Sequence, residues 1–257
     1  MLGCDISKGI PAWRRKYFSY ISSPLVRLWL RYVFHIEEHG DKSCDGPHGR
    51  ANIIVMNHTA EWDILLMMGL AEVVPGFVSK AAVSKVWLIG YLADVWGSIY
   101  VDENRRAGGK ATTKGASITE QITARGKVKD GRPLVIFPEG TTTNGEYTIP
   151  FRSGAFVGGH PVKPIATRYA CTHFSPTLDA IGAVEHAFFC LTQFTNYVEI
   201  TYLPVYYPSE EEKNDPKLYA ANVQKLINEA LGVTTIQASY KDKREYLKML
   251  KEGKKNA

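Results

Sequence analysis

Asn52-Ile53-Ile54-Val55-Met56 runs directly into Asn57-His58-Thr59-Ala60-Glu61-Trp62-Asp63, and this junction decides the architecture. The first segment has the composition of a short buried strand. Asn57 and His58 break that character, and a helical stretch, 63–71, follows. Strand, polar loop and helix begin the alternation of an α/β fold. On an uninterrupted α-helix, side chains five residues apart point about 140° away from each other. His58 and Asp63 therefore meet only if His58 stands on the loop and Asp63 in the first turn of the helix. Thr59 is the residue expected to cap that helix.

The alternation continues outward. Further strands are predicted over 76–79, 98–102, 133–137, 162–168 and 197–203, and helices over 84–93, 111–125, 184–193 and 216–231. The last helix is the best delimited: Asp215 caps it, Pro216 opens it, Gly232 closes it, and Tyr219, Val223, Leu226, Ile227 and Ala230 form its apolar stripe. The expected fold is α/β, a mixed β-sheet covered by helices. Residues 104–115 and 208–215 read as surface loops.

The N-terminal part differs in kind. Leu25, Leu28, Trp29, Tyr32, Val33 and Ile36 recur at helical spacing, Ser23 and Pro24 mark a helix start, and Arg14, Arg15 and Lys16 precede the segment. An amphipathic helical hairpin at a membrane interface is expected over 17–36, with a helix packed on the domain core as the alternative. No uncharged apolar run reaches the roughly 20 residues of a membrane-spanning helix. The 257 residues, 45% apolar with a net charge of +5, suit a globular domain and an anionic surface or substrate, without calling for nucleic acid. Cys4, Cys44, Cys171 and Cys190 are scattered, form no C-x-x-C pair, and read as reduced thiols.

A second signature, Phe137-Pro138-Glu139-Gly140-Thr141, also follows a strand-like run. It puts a carboxylate and a glycine at the end of a buried strand, where α/β proteins build their sites. An aspartate bonded to one imidazole nitrogen fixes the tautomer and leaves the other nitrogen to take a proton from an alcohol. Taken singly, His58 with Asp63 also fits a capped helix start beside a surface histidine, and Glu139 fits a turn carboxylate.

Together the two signatures resemble the glycerophospholipid acyltransferase superfamily. Its first block, N-H-x4-D, is matched by Asn57, His58 and Asp63. F-P-E-G-T is matched by Phe137 to Thr141, and the strand with an embedded proline by Val162-Lys163-Pro164-Ile165. A basic-x-G-A segment is matched by Arg152-Ser153-Gly154-Ala155. In the second block, Gly97-Ser98-Ile99-Tyr100-Val101-Asp102-Glu103, Glu103 occupies the usual arginine slot and Arg105 and Arg106 follow. Lys80 matches a lysine before the family's second helix. Glu139 to Gly145, Pro150 to Phe156 and Leu203 to Ser209 are similar to the lysophosphatidylcholine and lysophosphatidylethanolamine acyltransferases. No D-x-D-x-D-G calcium loop occurs.

The resemblance implies an acyl-CoA:lysophospholipid O-acyltransferase with His58 and Asp63 as the catalytic pair. Asn57, Lys80, Arg105, Glu139, Gly140, Thr141, Arg152 and Pro164 are the implied substrate contacts. Acyl-CoA, a lysophospholipid and a membrane surface are the implied partners, with no cofactor and no metal. It implies three regions: interfacial helices over 1–45, the acyltransferase domain over 46–235, and a basic tail over 236–257. Lys254-Lys255-Asn256-Ala257 resembles a dilysine retrieval signal, implying the cytosolic face of the endoplasmic reticulum. The alternatives are a 1-acylglycerol-3-phosphate acyltransferase and a non-catalytic lipid-binding module. His35-Ile36-Glu37-Glu38-His39 also matches the inverted zinc-peptidase pattern H-x-x-E-H, although Gly40 and Asp41 interrupt any helix there.

Overall fold

The computed structural model describes residues 24–85, 87–101, 117–128, 132–171, 173–177, 181–193 and 195–255. The first part of the expected hairpin, Cys4 and Arg105 lie outside the described residues. A helix, α1 (24–33), leads into β1 (Phe34–Gly40) and β2 (Ile53–Met56). Then come α2 (Trp62–Leu70), β3 (Gly76–Lys80), α3 (Trp87–Val95), β4 (Ile99–Val101), α4 (Ile118–Lys127) and β5 (Leu134–Ile136). The chain continues through β6 (Tyr147–Thr148), β7 (Val162–Ala170), α5 (Ala183–Thr192), β8 (Asn196–Tyr202) and α6 (Glu210–Asn214). It closes with α7 (Pro216–Leu231), β9 (Thr234–Thr235) and α8 (Tyr240–Lys255).

Seven strands form one sheet in the order β1-β8-β7-β2-β5-β3-β4. Every neighbouring pair is parallel except β7 with β8. β2 and β5 lie side by side, with Ile53 opposite Leu134 and Val55 opposite Ile136. The loops leaving their C-terminal ends, which carry His58 and Glu139, are therefore neighbours. Ile54, Met56, Val135, Ile165, Val198 and Ile200 face one apolar layer that includes residues of α1, α2, α3 and α5. Ile53, Val55, Leu134, Ile136 and Val162 face the other, under α4 and α7. A strand buried on both faces has apolar residues at successive positions, which is why β2 reads as an unbroken run.

α7 follows its sequence signals: the Asp215 carboxylate accepts from the amides of Lys217 and Leu218, Pro216 is the first helical residue, and Gly232 closes the helix at φ +66°. Its buried stripe is Tyr219, Ala220, Val223, Ile227 and Leu231; Ala230 is exposed.

Three expectations are corrected. The helical pattern assigned through Ile36 stops at residue 33, and His35 to His39 lie in β1, paired in parallel with β8. A strand cannot present the helical histidine pair of a zinc peptidase; His35 instead contacts Glu37, and His39 contacts Glu199. The supposed loop 208–215 contains α6, started by a reciprocal cap between Ser209 and Glu212. The basic segment after residue 236 forms α8, whose start is held by Ser239 and Asp242 and whose outer face carries Lys241–Glu245 and Lys248–Glu252 pairs.

α1 has two apolar faces. Val26, Leu30 and Val33 pack on the core. Leu25 and Tyr32 point outward, 62% and 88% exposed, with Leu28 and Trp29 beside them, so the expected stripe is mostly the outer one. α5 repeats the arrangement, with His186 and Cys190 inward and Val184, Phe188, Phe189 and Leu191 outward. The Asn196 side-chain amide joins the two helices by donating to Val33 O and Cys190 O. No described helix is long and apolar enough to cross a membrane.

Candidate active site

The site is built on the two loops that leave β2 and β5. Asp63 is the second residue of α2 and fully buried. Its Oδ2 lies 2.8 Å from His58 Nδ1 and also accepts from the amides of Thr59 and Ala60 at 3.0 and 3.1 Å. Its Oδ1 accepts from the Tyr169 hydroxyl at 2.7 Å. These partners replace the water that a buried carboxylate loses. Burial and the adjoining Asp63 charge push the Tyr169 phenol up, so its hydroxyl remains a donor. With Asp63 as acceptor, the neutral imidazole carries its proton on Nδ1 and leaves Nε2 with a free lone pair.

The ring is fixed on its other side as well. It stacks on Phe137 with centroids 4.1 Å apart and planes 21° from parallel. The His58 side chain retains 15% exposure, so the imidazole has an opening toward the surface while Asp63 has none. Thr59 is not the cap of α2. Glu61 occupies that position without a side-chain bond, and Asp63 reaches back to the loop amides in its place.

Glu139 is placed beneath the loop rather than in the opening. It is 1% exposed. One carboxylate oxygen accepts from the His58 amide at 2.9 Å and the other from the Ile149 amide at 3.1 Å. Backbone amides thus engage both of its oxygens inside the protein. Burial raises its pKa to about 7, against the opposing pull of the two amides. Gly140 follows at φ +72°, a left-handed conformation that side chains resist. A Cβ there would lie 2.6 Å from the Arg152 guanidinium carbon. Arg152 is exposed and stands over the turn, tied to it by its backbone N–H, which donates to Pro138 O at 2.9 Å.

The other candidates divide. Asn57 is 2% exposed, and its amide group exchanges two 2.8 Å hydrogen bonds with the backbone of Thr167. It continues the β2–β7 ladder past the last backbone rung, Met56 with Ile165, and so holds the start of the loop. Pro164 is buried in β7 opposite Val55, one residue beyond the β7–β8 ladder, where its missing N–H breaks no rung. Lys80 ends β3, exposed, with its ammonium 5.7 Å from the centre of the Tyr240 ring. Thr141 lines a cavity of about 440 Å³ between the 139–145 loop and α8, together with Tyr147, Asp242, Lys243 and Tyr246. Among the described residues no group of three or more His, Cys, Asp or Glu side chains is arranged to hold a metal ion.

Tyr169 was not legible in the sequence as part of the site. It lies 106 residues from Asp63, and only the pairing of β7 beside β2 brings it there.

The arrangement matches known proteins. A family model described as "Acyltransferase" matches residues 35–168. A lysophospholipid acyltransferase of Arabidopsis thaliana is 38% identical over 82% of this chain and 52% of its own length. Lysophosphatidylcholine acyltransferase 1 of Homo sapiens is 33% identical over 90% of this chain and 42% of its own. The chain therefore spans about half the length of the curated relatives it matches. The crystal structure of the 1-acyl-sn-glycerophosphate acyltransferase PlsC from Thermotoga maritima superposes with a TM-score of 0.59 at 16% identity, covering 88% of this chain and 84% of that one.

The burial of Glu139 makes stability depend on pH. The folded protein keeps the Glu139 proton up to about 7, whereas an unfolded glutamate releases it near 4.5. The folded state binds more protons between those values, so this contribution is complete below about 4.5 and is lost as pH rises through about 7. Urea unfolding across that window is expected to show the wild type losing stability relative to Glu139→Gln. Parallel curves for the two proteins would contradict it.

Proposed function

Since this chain belongs to the acyltransferase family, we propose that it is an acyl-CoA-dependent lysophospholipid acyltransferase in which His58, held by Asp63, is the general base. The observation that carries the reading is the 2.8 Å His58–Asp63 contact at the mouth of a buried polar network. Lysophosphatidylcholine or lysophosphatidylethanolamine is the favoured acceptor, on the strength of the relatives' names and identities. Likeness of fold alone supports the alternative acceptor, 1-acylglycerol-3-phosphate.

The proposed step is a direct transfer. His58 Nε2 takes the proton of a free glycerol hydroxyl as that oxygen attacks the thioester carbonyl carbon of acyl-CoA. The tetrahedral intermediate collapses with cleavage of the C–S bond, and the imidazolium returns the proton to the departing thiolate. The new ester, the coenzyme A thiol and the neutral imidazole complete the balance. Asp63 stabilises the imidazolium while it carries the proton. Arg152, exposed above the Gly140 turn, is assigned to the acceptor phosphate, with Lys80 as a second cation on the same side of the sheet's C-terminal ends. Arg105 is retained as a phosphate contact from the sequence pattern. Glu139 and Asn57 are assigned to positioning the loop, not to touching substrate.

Both substrates are amphiphiles, and the outward rows of α1 and α5 supply an apolar surface on the His58 side of the sheet. Burying such side chains stabilises by roughly 1.5–3 kcal/mol for each one fully withdrawn from water. α5 has ten residues, about 15 Å of helix, enough to lie in an interface and too short to span one. We place the chain on a membrane surface in this way.

His58→Ala is expected to lower turnover of acyl-CoA with a lysophospholipid panel by a factor of about 100 or more. Wild-type turnover in the folded variant would remove the mechanism. Leu28→Ser with Trp29→Ser is expected to weaken cosedimentation with phosphatidylcholine–phosphatidylserine vesicles; unchanged cosedimentation would refute the placement of α1.

A further inference from the structure

The Lys243 side chain of α8 reaches the loop that follows β5. Lys243 Nζ donates to Thr142 O at 2.8 Å and to Thr142 Oγ1 at 2.9 Å. On the far side of the same peptide group, the Thr143 amide donates to His58 O at 2.8 Å. Thr142 is 8% exposed, so these bonds form where water competes little.

We propose that Lys243 is a positioning residue for His58, acting through the peptide that joins Thr142 to Thr143. A trans peptide is planar, with its C=O and N–H pointing in opposite directions. Fixing the Thr142 carbonyl therefore aims the Thr143 N–H, and the positive charge on Lys243 polarises that peptide toward its acceptor. The peptide units on either side of His58 are then held from both sides: the His58 amide by Glu139, and the His58 carbonyl by Thr143. This leaves the imidazole to be set by Asp63 and Phe137 on a backbone that does not rotate beneath it.

α8 is fastened so that Lys243 can do this. β9, just ahead of it, pairs with β6, Thr234 opposite Tyr147 and Thr235 opposite Thr148. The Ile236 amide donates to Thr148 O at 2.9 Å. The residue after Thr148 is Ile149, whose amide holds Glu139. The segment that looks like a basic tail in sequence thus meets the catalytic loop at both of its flanks. Lys248, on the same helix, is exposed and pairs with Glu252 of α8 at 3.8 Å.

The inference rests on His58 being the base, and the test separates the two. The full chain is prepared as wild type, Lys243→Met, Lys243→Arg and Lys248→Met. Lys243→Met is expected to lower kcat roughly ten- to hundred-fold, the scale of a small misplacement of a reacting group, with KM for acyl-CoA and lysophospholipid unchanged. Lys243→Arg recovers most of the loss, and Lys248→Met loses nothing. Hydrogen exchange at the Thr143 amide, measured without substrate, is slow in the wild type and faster in Lys243→Met. Wild-type kcat in Lys243→Met would overturn the proposal. So would a loss confined to KM, which would make Lys243 a substrate contact, or an arginine variant no better than methionine. Should Lys243→Met fail to fold, fast exchange of Thr143 in the wild type or in Lys243→Arg would overturn it equally. A wild type without acyl transfer would end the functional reading while leaving the exchange result to stand or fall by itself.

Discussion

The site depends on one buried carboxylate, that of Asp63. Asp63 has no exposure to water, and a carboxylate so placed persists only when donors replace its hydration. Two of its donors are loop amides, one is a tyrosine hydroxyl from β7, and one is the His58 ring. The same charge therefore folds the loop at the start of α2, attaches it to a neighbouring strand, and selects the imidazole tautomer. Removing the charge would release all three at once, which is why the histidine's chemistry and the local fold cannot be treated separately.

Around that carboxylate the protein holds the backbone as firmly as the side chains. Glu139 takes the His58 amide, Thr143 takes the His58 carbonyl, and Asn57 replaces a missing rung between β2 and β7. Glu139 and Thr143 come from the loop after β5 and the Thr167 backbone from β7, and both reach the β2 loop because β2 lies between β5 and β7 in the sheet. The topology has a direct chemical consequence: loops from adjacent parallel strands meet at their C-terminal ends, and the two sequence signatures become one site.

Much of this was legible in the residues. The strands β2, β3, β5, β7 and β8 follow from apolar runs, and α7 follows from its cap, its proline and its closing glycine. The loop placement of His58 with Asp63 in the first helical turn follows from helix geometry once the two side chains are required to meet. β1 was misread because Val33 and Ile36 continue a helical spacing that the chain abandons at residue 34, where pairing with β8 prevails. α8 was hidden by its charge, since a helix so rich in lysine reads as a solvated tail until its end contacts are known. Glu139 was expected to face a substrate because a sequence shows that a carboxylate is present and not which way it points. Tyr169 and Lys243 carry no local signal; they join the site only through contacts made after the sheet is assembled.

The central claim is that Asp63 keeps the His58 proton on Nδ1 and leaves Nε2 to act as the base. Nitrogen NMR of the imidazole-labelled protein, assigned by comparison with His58→Ala and followed above the histidine's titration, reads this directly. The account predicts a protonated Nδ1 and an unprotonated Nε2 for His58, with Nδ1 losing that preference in Asp63→Asn. A neutral ring carrying its proton on Nε2 in the wild type would contradict it.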